Sequence, residues 1–354
     1  MSIVALEVVK DLRRAFAGRG LKNHGSNGDV RLHTDANQRI FVVLDPRQSK
    51  TVLGSRFVEN ENYFAEPLAQ LAQRGGALPH ITAYFANSLL FKEGADHRAL
   101  RARHQPIIEE ACAVMARHAP LLARSVTRGR TTSISPLQFA QRLVEVGFAI
   151  VIRELTGVPM KRALRAMRLR QNVFFYHFHP GRHQAMDRAL AELERGRPAP
   201  DASDRWEVAR SLIVMGVDPC VSAVCAAVIE NLPGDFGSAI NRYAPTSFIS
   251  RRCIVSFSLQ EHTVQPGDLL YLSLVQPEGA KNDADAPASR KAPAIAFGAG
   301  PHMCAGRPFA MLMSDMAERI FRELEPGRIR DATLTVRGDG SFLSIVEPAA
   351  ASGR

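Results

Sequence analysis

The apolar positions of this chain fall into a few periodic runs separated by polar, glycine-marked or proline-marked breaks. Residues 39–52 open on an apolar, largely β-branched run and turn polar at Asp45-Pro46, which predicts a strand, a turn and a short helix. From Asp96 a helical pattern continues through Ile107, Ile108 and Cys112. Residues 204–230 predict one long helix, with Trp206, Leu212, Ile213, Val217, Val221, Val224 and Val228 on its apolar side and Asp204 and Glu207 spaced as a capping pair. Val264-Gln265-Pro266-Gly267-Asp268 reads as a hairpin turn before a strand over residues 269–275. Near the C-terminus Phe309, Leu312, Met316, Ile320 and Leu324 return to helical period.

Length and composition set outer bounds on these runs. With 354 residues and 46% hydrophobic composition the chain can bury a large core. Cys112, Cys220, Cys225, Cys253 and Cys304 are scattered and odd in number, without a C-x-x-C pair, which argues against a disulfide framework and for a reducing, cytoplasmic setting. No apolar run approaches membrane-spanning length, and residues 1–20 alternate charge with apolar positions, so neither a membrane span nor a signal peptide is expected. The formal charge of +10 is spread along the chain without interleaved aromatics, which sets nucleic acid aside. Its densest segment is Lys161, Arg162, Arg165, Arg168 and Arg170; Lys161, Arg165 and Arg168 share one helix face, either simply solvated or able to dock an acidic electron donor.

The chemistry concentrates just before the last helical run. Phe297-Gly298-Ala299-Gly300-Pro301-His302-Met303-Cys304-Ala305-Gly306 holds one cysteine among closely spaced glycines at the start of a helix. Backbone N–H groups at a helix N-terminus, together with a metal, lower a thiol pKa and favour a thiolate ligand. Glycines let the main chain approach a flat macrocycle and accept positive φ in a tight turn. Cys304 is therefore a candidate haem-iron ligand, the alternative being a structural cysteine in a glycine-rich loop.

This stretch resembles the haem-binding signature of the cytochrome P450 family, F-G-x-G-x-H-x-C-x-G, at every fixed position. The resemblance implies a mainly α fold with a small β portion, a single P450-like domain over residues 1–354, and haem b held by Cys304, with Phe297, Gly298 and Gly306 shaping the cofactor loop. His97 and Arg101, at i and i+4, are similar to the family's pair that grips a haem propionate. Arg251, with Arg252 as its alternative, and His302 are the further propionate candidates. Residues 172–183 gather aromatics and histidines and resemble the family's lid over the substrate pocket, or pack as a plain helix; a metal site of His177, His179 and His183 lacks a completing ligand.

The departures from the family pattern bear on mechanism. Met215-Gly216-Val217-Asp218-Pro219-Cys220 resembles the segment that passes over the haem, but Pro219 stands where the family carries an oxygen-activating threonine. Pro219 has neither hydroxyl nor N–H and should kink the helix, so proton delivery would fall to Asp218, Cys220, Ser222, water or substrate. Ala239 replaces the glutamate of the family's E-x-x-R segment, which leaves Arg242 without its usual partner, and residues 282–292 are abbreviated. The leading expectation is an oxidoreductase acting on a small or medium apolar molecule in specialised metabolism, with electrons from a separate ferredoxin- or flavodoxin-type partner. The alternatives are an atypical haem-thiolate enzyme using peroxide or carrying out rearrangement, dehydration or nitrogen chemistry, and a haem-free interaction protein on the same fold.

Overall fold

The computed structural model describes residues 30–34, 39–60, 62, 64–127, 134–171, 173–174, 179–195, 203–230, 246, 248–274, 295–324, 329, 335–338 and 343–346. Strands β1 (Val30–Thr34) and β2 (Arg39–Val43) lead into helix α1 (Pro46–Gly54), as the apolar run ending at Asp45-Pro46 predicts. The Asp45 side chain accepts the Arg47 N–H, and Pro46 occupies the first helical position, where a missing N–H leaves nothing unsatisfied. Strand β3 (Val58–Glu59) and helices α2 (Ala65–Gln73), α3 (Pro79–Asn87), α4 (Gly94–Arg117) and α5 (Ala119–Thr127) follow. Then come α6 (Pro136–Thr156), α7 (Met160–Leu169), α8 (Pro180–Glu194), α9 (Ser203–Ser211) and α10 (Val217–Glu230).

Helix α6 is the axis of the core. Phe139, Leu143, Val144, Phe148, Val151 and Ile152 are fully buried on it, and it packs against α4, α5, α7, α9 and α10. A helix apolar around most of its circumference is stable only when enclosed in this way. Its ends are fixed locally: Ser135 and Gln138 form a capping box, and Gly157 closes the C-terminus at φ 74°.

The long apolar pattern over residues 204–230 is helical throughout but not uniformly so. A π-helical segment, Leu212–Gly216, separates α9 from α10, and the Val217 N–H reaches back to the Leu212 carbonyl. Pro219 cannot donate to the carbonyl one turn earlier and would clash with it, so the widened turn just ahead relieves the strain a straight α-helix would carry. Asp204 and Glu207 do not cap this helix: both lie inside α9, Asp204 pairing with Arg103 at 3.0 Å and Glu207 with Arg210 at 2.7 Å. Contrary to expectation, the helix over Asp204–Ile229 is long and apolar enough to cross a membrane, but 67% of its most apolar window is buried in the fold, which accounts for its composition.

A five-stranded sheet runs β1-β2-β7-β4-β3, where β4 is Phe248–Cys253 and β7 is Leu269–Ser273; β2 and β7 pair in parallel and the other neighbours antiparallel. Strands β5 (Phe257–Leu259) and β6 (His262–Val264) form a separate hairpin. The turn at residues 265–268 is tight, with Gly267 at φ 94°, but it is not a hairpin turn: it carries the chain from β6 in one sheet to β7 in another. The Asp268 carboxylate accepts the Gln265 N–H, while Cys253 at the end of β4 donates its N–H to the Asp268 carbonyl and accepts the Gly267 N–H, which diverts the chain into the larger sheet. Helix α11 (Arg307–Glu323) follows the cysteine loop, and strands β8 (Thr335–Gly338) and β9 (Leu343–Val346) pair near the C-terminus. All five cysteines are free.

Candidate functional site

The cysteine loop is built by short-range bonds that its glycines permit. The Cys304 N–H donates to the Phe297 carbonyl at 2.8 Å and the Gly298 N–H to that of Ile295 at 2.7 Å, with Gly298 at φ 72° and Gly300 at φ 69°. Gly300 also lies so close to the end of α1 that a Cβ there would stand 2.2 Å from the Leu53 carbonyl oxygen. The Arg307 guanidinium lies 5.9 Å from the Phe297 ring. Cys304 ends the loop three residues ahead of α11; the Arg307 N–H donates to its carbonyl at 3.3 Å, and the N–H groups of Gly306 and Arg307 lie near enough to its sulfur to act on its pKa.

The thiol is accessible to solvent yet enclosed by protein atoms, as at the floor of a recess. Burial pushes its pKa up, and the Gly306 N–H, the Arg101 charge and the Arg307 N–H pull it back only partly. Desolvation thus outweighs the donors in the protein without a metal, a state to which the expectation of a metal-assisted thiolate does not apply. The donors nevertheless suit a metal-bound sulfur, whose remaining charge they would stabilise. Across the recess Cys220, buried on α10, is close enough to Cys304 for the two to interact electrostatically; burial and then Cys304 push its pKa to about 12. Cys220 is therefore a neutral thiol near pH 7.

The structure gathers the expected propionate residues around this loop. His97 and Arg101 share one face of α4: the His97 ring lies 4.1 Å from the His302 ring, and Arg101 donates to the carbonyls of Pro301 at 3.2 Å and Met303 at 2.7 Å. His97 is buried, and burial followed by the neighbouring His302 and Arg101 charges lowers its pKa to about 4. Arg251 points from β4 into the interior at 6% exposure, whereas Arg252, one residue along the strand, faces the other way and is half-buried. The Arg251 guanidinium donates to the Ser250 carbonyl at 2.7 Å, and burial, opposed by Glu93, lowers its pKa to about 10. Among the described residues no carboxylate makes a salt bridge to it. A buried cation with so little compensation fits an anionic group such as a haem propionate.

Two residues of this cluster escaped the sequence reading. Glu93, at the N-cap of α4, meets His302 Nε2 at 2.9 Å and accepts the Asn60 N–H at 2.6 Å; the Asn60 side-chain amide meets His302 Nδ1 at 2.8 Å. Glu93 precedes His97 by one helical turn, and that spacing was the available signal. Burial works to raise the Glu93 pKa, but the His302 hydrogen bond, the Asn60 N–H and the nearby Arg251 bring it below the usual range.

Asp218 lies on a different side of α10 from Cys220 and is bound by Arg170 at 2.8 Å, which also contacts Glu145 at 3.4 Å. Arg170 thus ties α6, the end of α7 and α10 together, a role its place in a basic run did not suggest. Lys161, Arg165 and Arg168 are exposed, as their shared face predicts. Of the histidine trio, His177 lies outside the described residues, as do Ala239, Arg242 and residues 282–292; among the described residues no cluster of three or more ligating side chains is positioned for a metal ion. A groove of about 670 Å³ beside α1 and β5, lined by Arg47, Thr51, Phe57 and Phe257 among others, includes none of the residues of the cysteine recess.

No family model matches the chain, and no curated protein matches it. Solved structures do match in fold. P450BioI, solved in complex with an acyl carrier protein ligated to hexadec-9Z-enoic acid, is 14% identical with a TM-score of 0.66, the match covering 97% of this chain and 98% of that one. CYP108D1 of Novosphingobium aromaticivorans is 18% identical at TM-score 0.65, over 97% and 94% of the two chains. P450 OxyD, involved in the biosynthesis of vancomycin-type antibiotics, is 15% identical at TM-score 0.66, over 98% and 97%.

Proposed function

We propose that this chain, whose fold is that of the cytochrome P450s, is a haem-thiolate oxidoreductase acting on a small or medium apolar molecule. The observation that carries the reading is the Cys304 loop, in which Gly298 and Gly300 at positive φ and the Cys304 N–H bond to the Phe297 carbonyl set one thiol just ahead of α11. Haem b bound there would supply the redox chemistry of thiolate-ligated iron, in which electron density from sulfur favours O–O cleavage. Cys304 would be the iron ligand, Phe297, Gly298 and Gly306 would shape the loop against the macrocycle, and His97, Arg101, Arg251 and His302 are the residues to hold its propionates. Cys220 and the apolar side chains near it on α10 would exclude water from the substrate. Electrons would come from a separate ferredoxin- or flavodoxin-type protein, and a cytoplasmic, single-domain enzyme agrees with five free cysteines and near-complete coverage of the matched chains. Carrier-bound acyl chains and antibiotic precursors, suggested by what two of those chains bind or make, are substrate classes to screen.

The spectrum of the reduced carbon monoxide complex tests this reading. Thiolate ligation gives a strongly red-shifted Soret band that Cys304→Ser abolishes; histidine-type ligation, or no Soret band after haem supply, would overturn it. A second reading, peroxide use or a reaction needing no protonation of dioxygen, rests on Pro219 and on Asp218, whose carboxylate is committed to Arg170. Product oxygen drawn from labelled dioxygen, with strict dependence on a reductase system, would exclude it.

A further inference from the structure

The cations and histidines beside the cysteine loop already face a carboxylate of the chain itself. Asn60 Nδ2 donates to the Leu90 carbonyl at 2.8 Å, which fixes the orientation of that amide, so the same nitrogen can only donate to His302 Nδ1. His302 therefore accepts at Nδ1 and carries its hydrogen on Nε2, where Glu93 takes it at 2.9 Å. Both ring nitrogens are thus committed to partners within the chain. His97, its ring tilted against that of His302 at 4.1 Å, is neutral near pH 7, and Arg101 and Arg251 bring positive charge to the cradle. Arg101 spends donors on two loop carbonyls, and Arg251, which no described carboxylate salt-bridges, feels the Glu93 charge nearby.

We propose that Glu93 is an internal anion competing with a haem propionate for Arg251 and His302, and that it limits how tightly this protein holds its cofactor. This rests on the haem reading above and adds to it a residue that weakens, instead of making, a cofactor contact. Three observations support the competition: the carboxylate lies within hydrogen-bond reach of the His302 donor, it shares the environment of the buried Arg251, and the Asn60 N–H at 2.6 Å anchors it there. A second carboxylate entering the cradle meets one charge of its own sign and finds the histidine donor occupied.

Equilibrium titration of the haem-free full chain with haem and with haem dimethyl ester, whose propionates carry no charge, tests the proposal by Soret absorbance. The wild-type protein should bind the two with nearly equal affinity, because Glu93 cancels what the propionate charge gains. Glu93→Gln keeps the shape and removes the charge; it should prefer haem over the ester by roughly tenfold and tighten for haem while leaving the ester unchanged. A wild-type protein that already prefers haem as strongly, or a Glu93→Gln variant that binds haem no better, would overturn the proposal. Should the variant fail to fold, the wild-type comparison decides alone. A wild-type protein that binds neither compound overturns the haem reading and this proposal together, whereas binding without the predicted selectivity overturns only this one.

Discussion

Gly298 and Gly300 share a left-handed backbone, at φ 72° and 69°, but differ in what surrounds them. A Cβ at Gly298 would meet Ile249 at an ordinary 3.9 Å, whereas one at Gly300 would overlap the α1 backbone at 2.2 Å. Gly298→Ala should therefore cost about 1 kcal/mol of backbone strain, and Gly300→Ala on the order of 3 kcal/mol or more because backbone must move. Denaturant unfolding of the two variants separates them, and equal losses would mean that α1 yields freely. Both glycines could be picked out from sequence as turn residues; that one of them is also a packing contact could not, because Leu53 is remote in the chain.

At the level of the element, the α9–π–α10 helix is where sequence and structure part most clearly. Its apolar spacing made the helix legible over its whole length, and Pro219 marked a disturbance, but the form taken, a widened turn at Leu212–Gly216, depends on the neighbours. Gly216 lies there against Phe148 of α6, with a would-be Cβ 2.9 Å from the ring. Pro219→Ala restores the missing donor and lets the turn ahead tighten, and should raise stability by about 1–3 kcal/mol, read as a higher thermal midpoint. A lower midpoint would show that the π turn is held by the packing of α6 and not by the proline. Arg170 likewise looked like one cation of a solvated run until tertiary packing placed Glu145 and Asp218 beside it.

For the molecule as a whole, buried histidines set the response to acid. His97, at about 4, and His104 and His183 all have pKa values lowered from 6.5, chiefly by burial. The unfolded chain binds these protons first as pH falls, so their effect is absent well above 6.5 and destabilises the fold progressively from there towards pH 4. Glu93, lowered from 4.5, acts in the same direction: its stabilisation is present above that value and lost as pH falls through its lower folded value. Glu207, raised from 4.5 by burial, acts in the opposite direction. The thermal midpoint of the haem-free protein should fall between pH 7 and pH 4, and a flat profile across that interval would contradict the burial of these side chains.

The sequence by itself determined what is local: the strand and helix after residue 39, the long apolar helix, and a glycine-rich cysteine loop ahead of a helix, on which the proposed ligand and cofactor rest. Those features are legible because their determinants lie within a few residues of one another. The tertiary structure alone decided that Asp218 is committed to Arg170, and that His302 is held by Glu93 and Asn60 across separations of 209 and 242 residues. Contacts at that range depend on how α4 and the cysteine loop pack, and no periodicity along the chain encodes which charges such packing brings together.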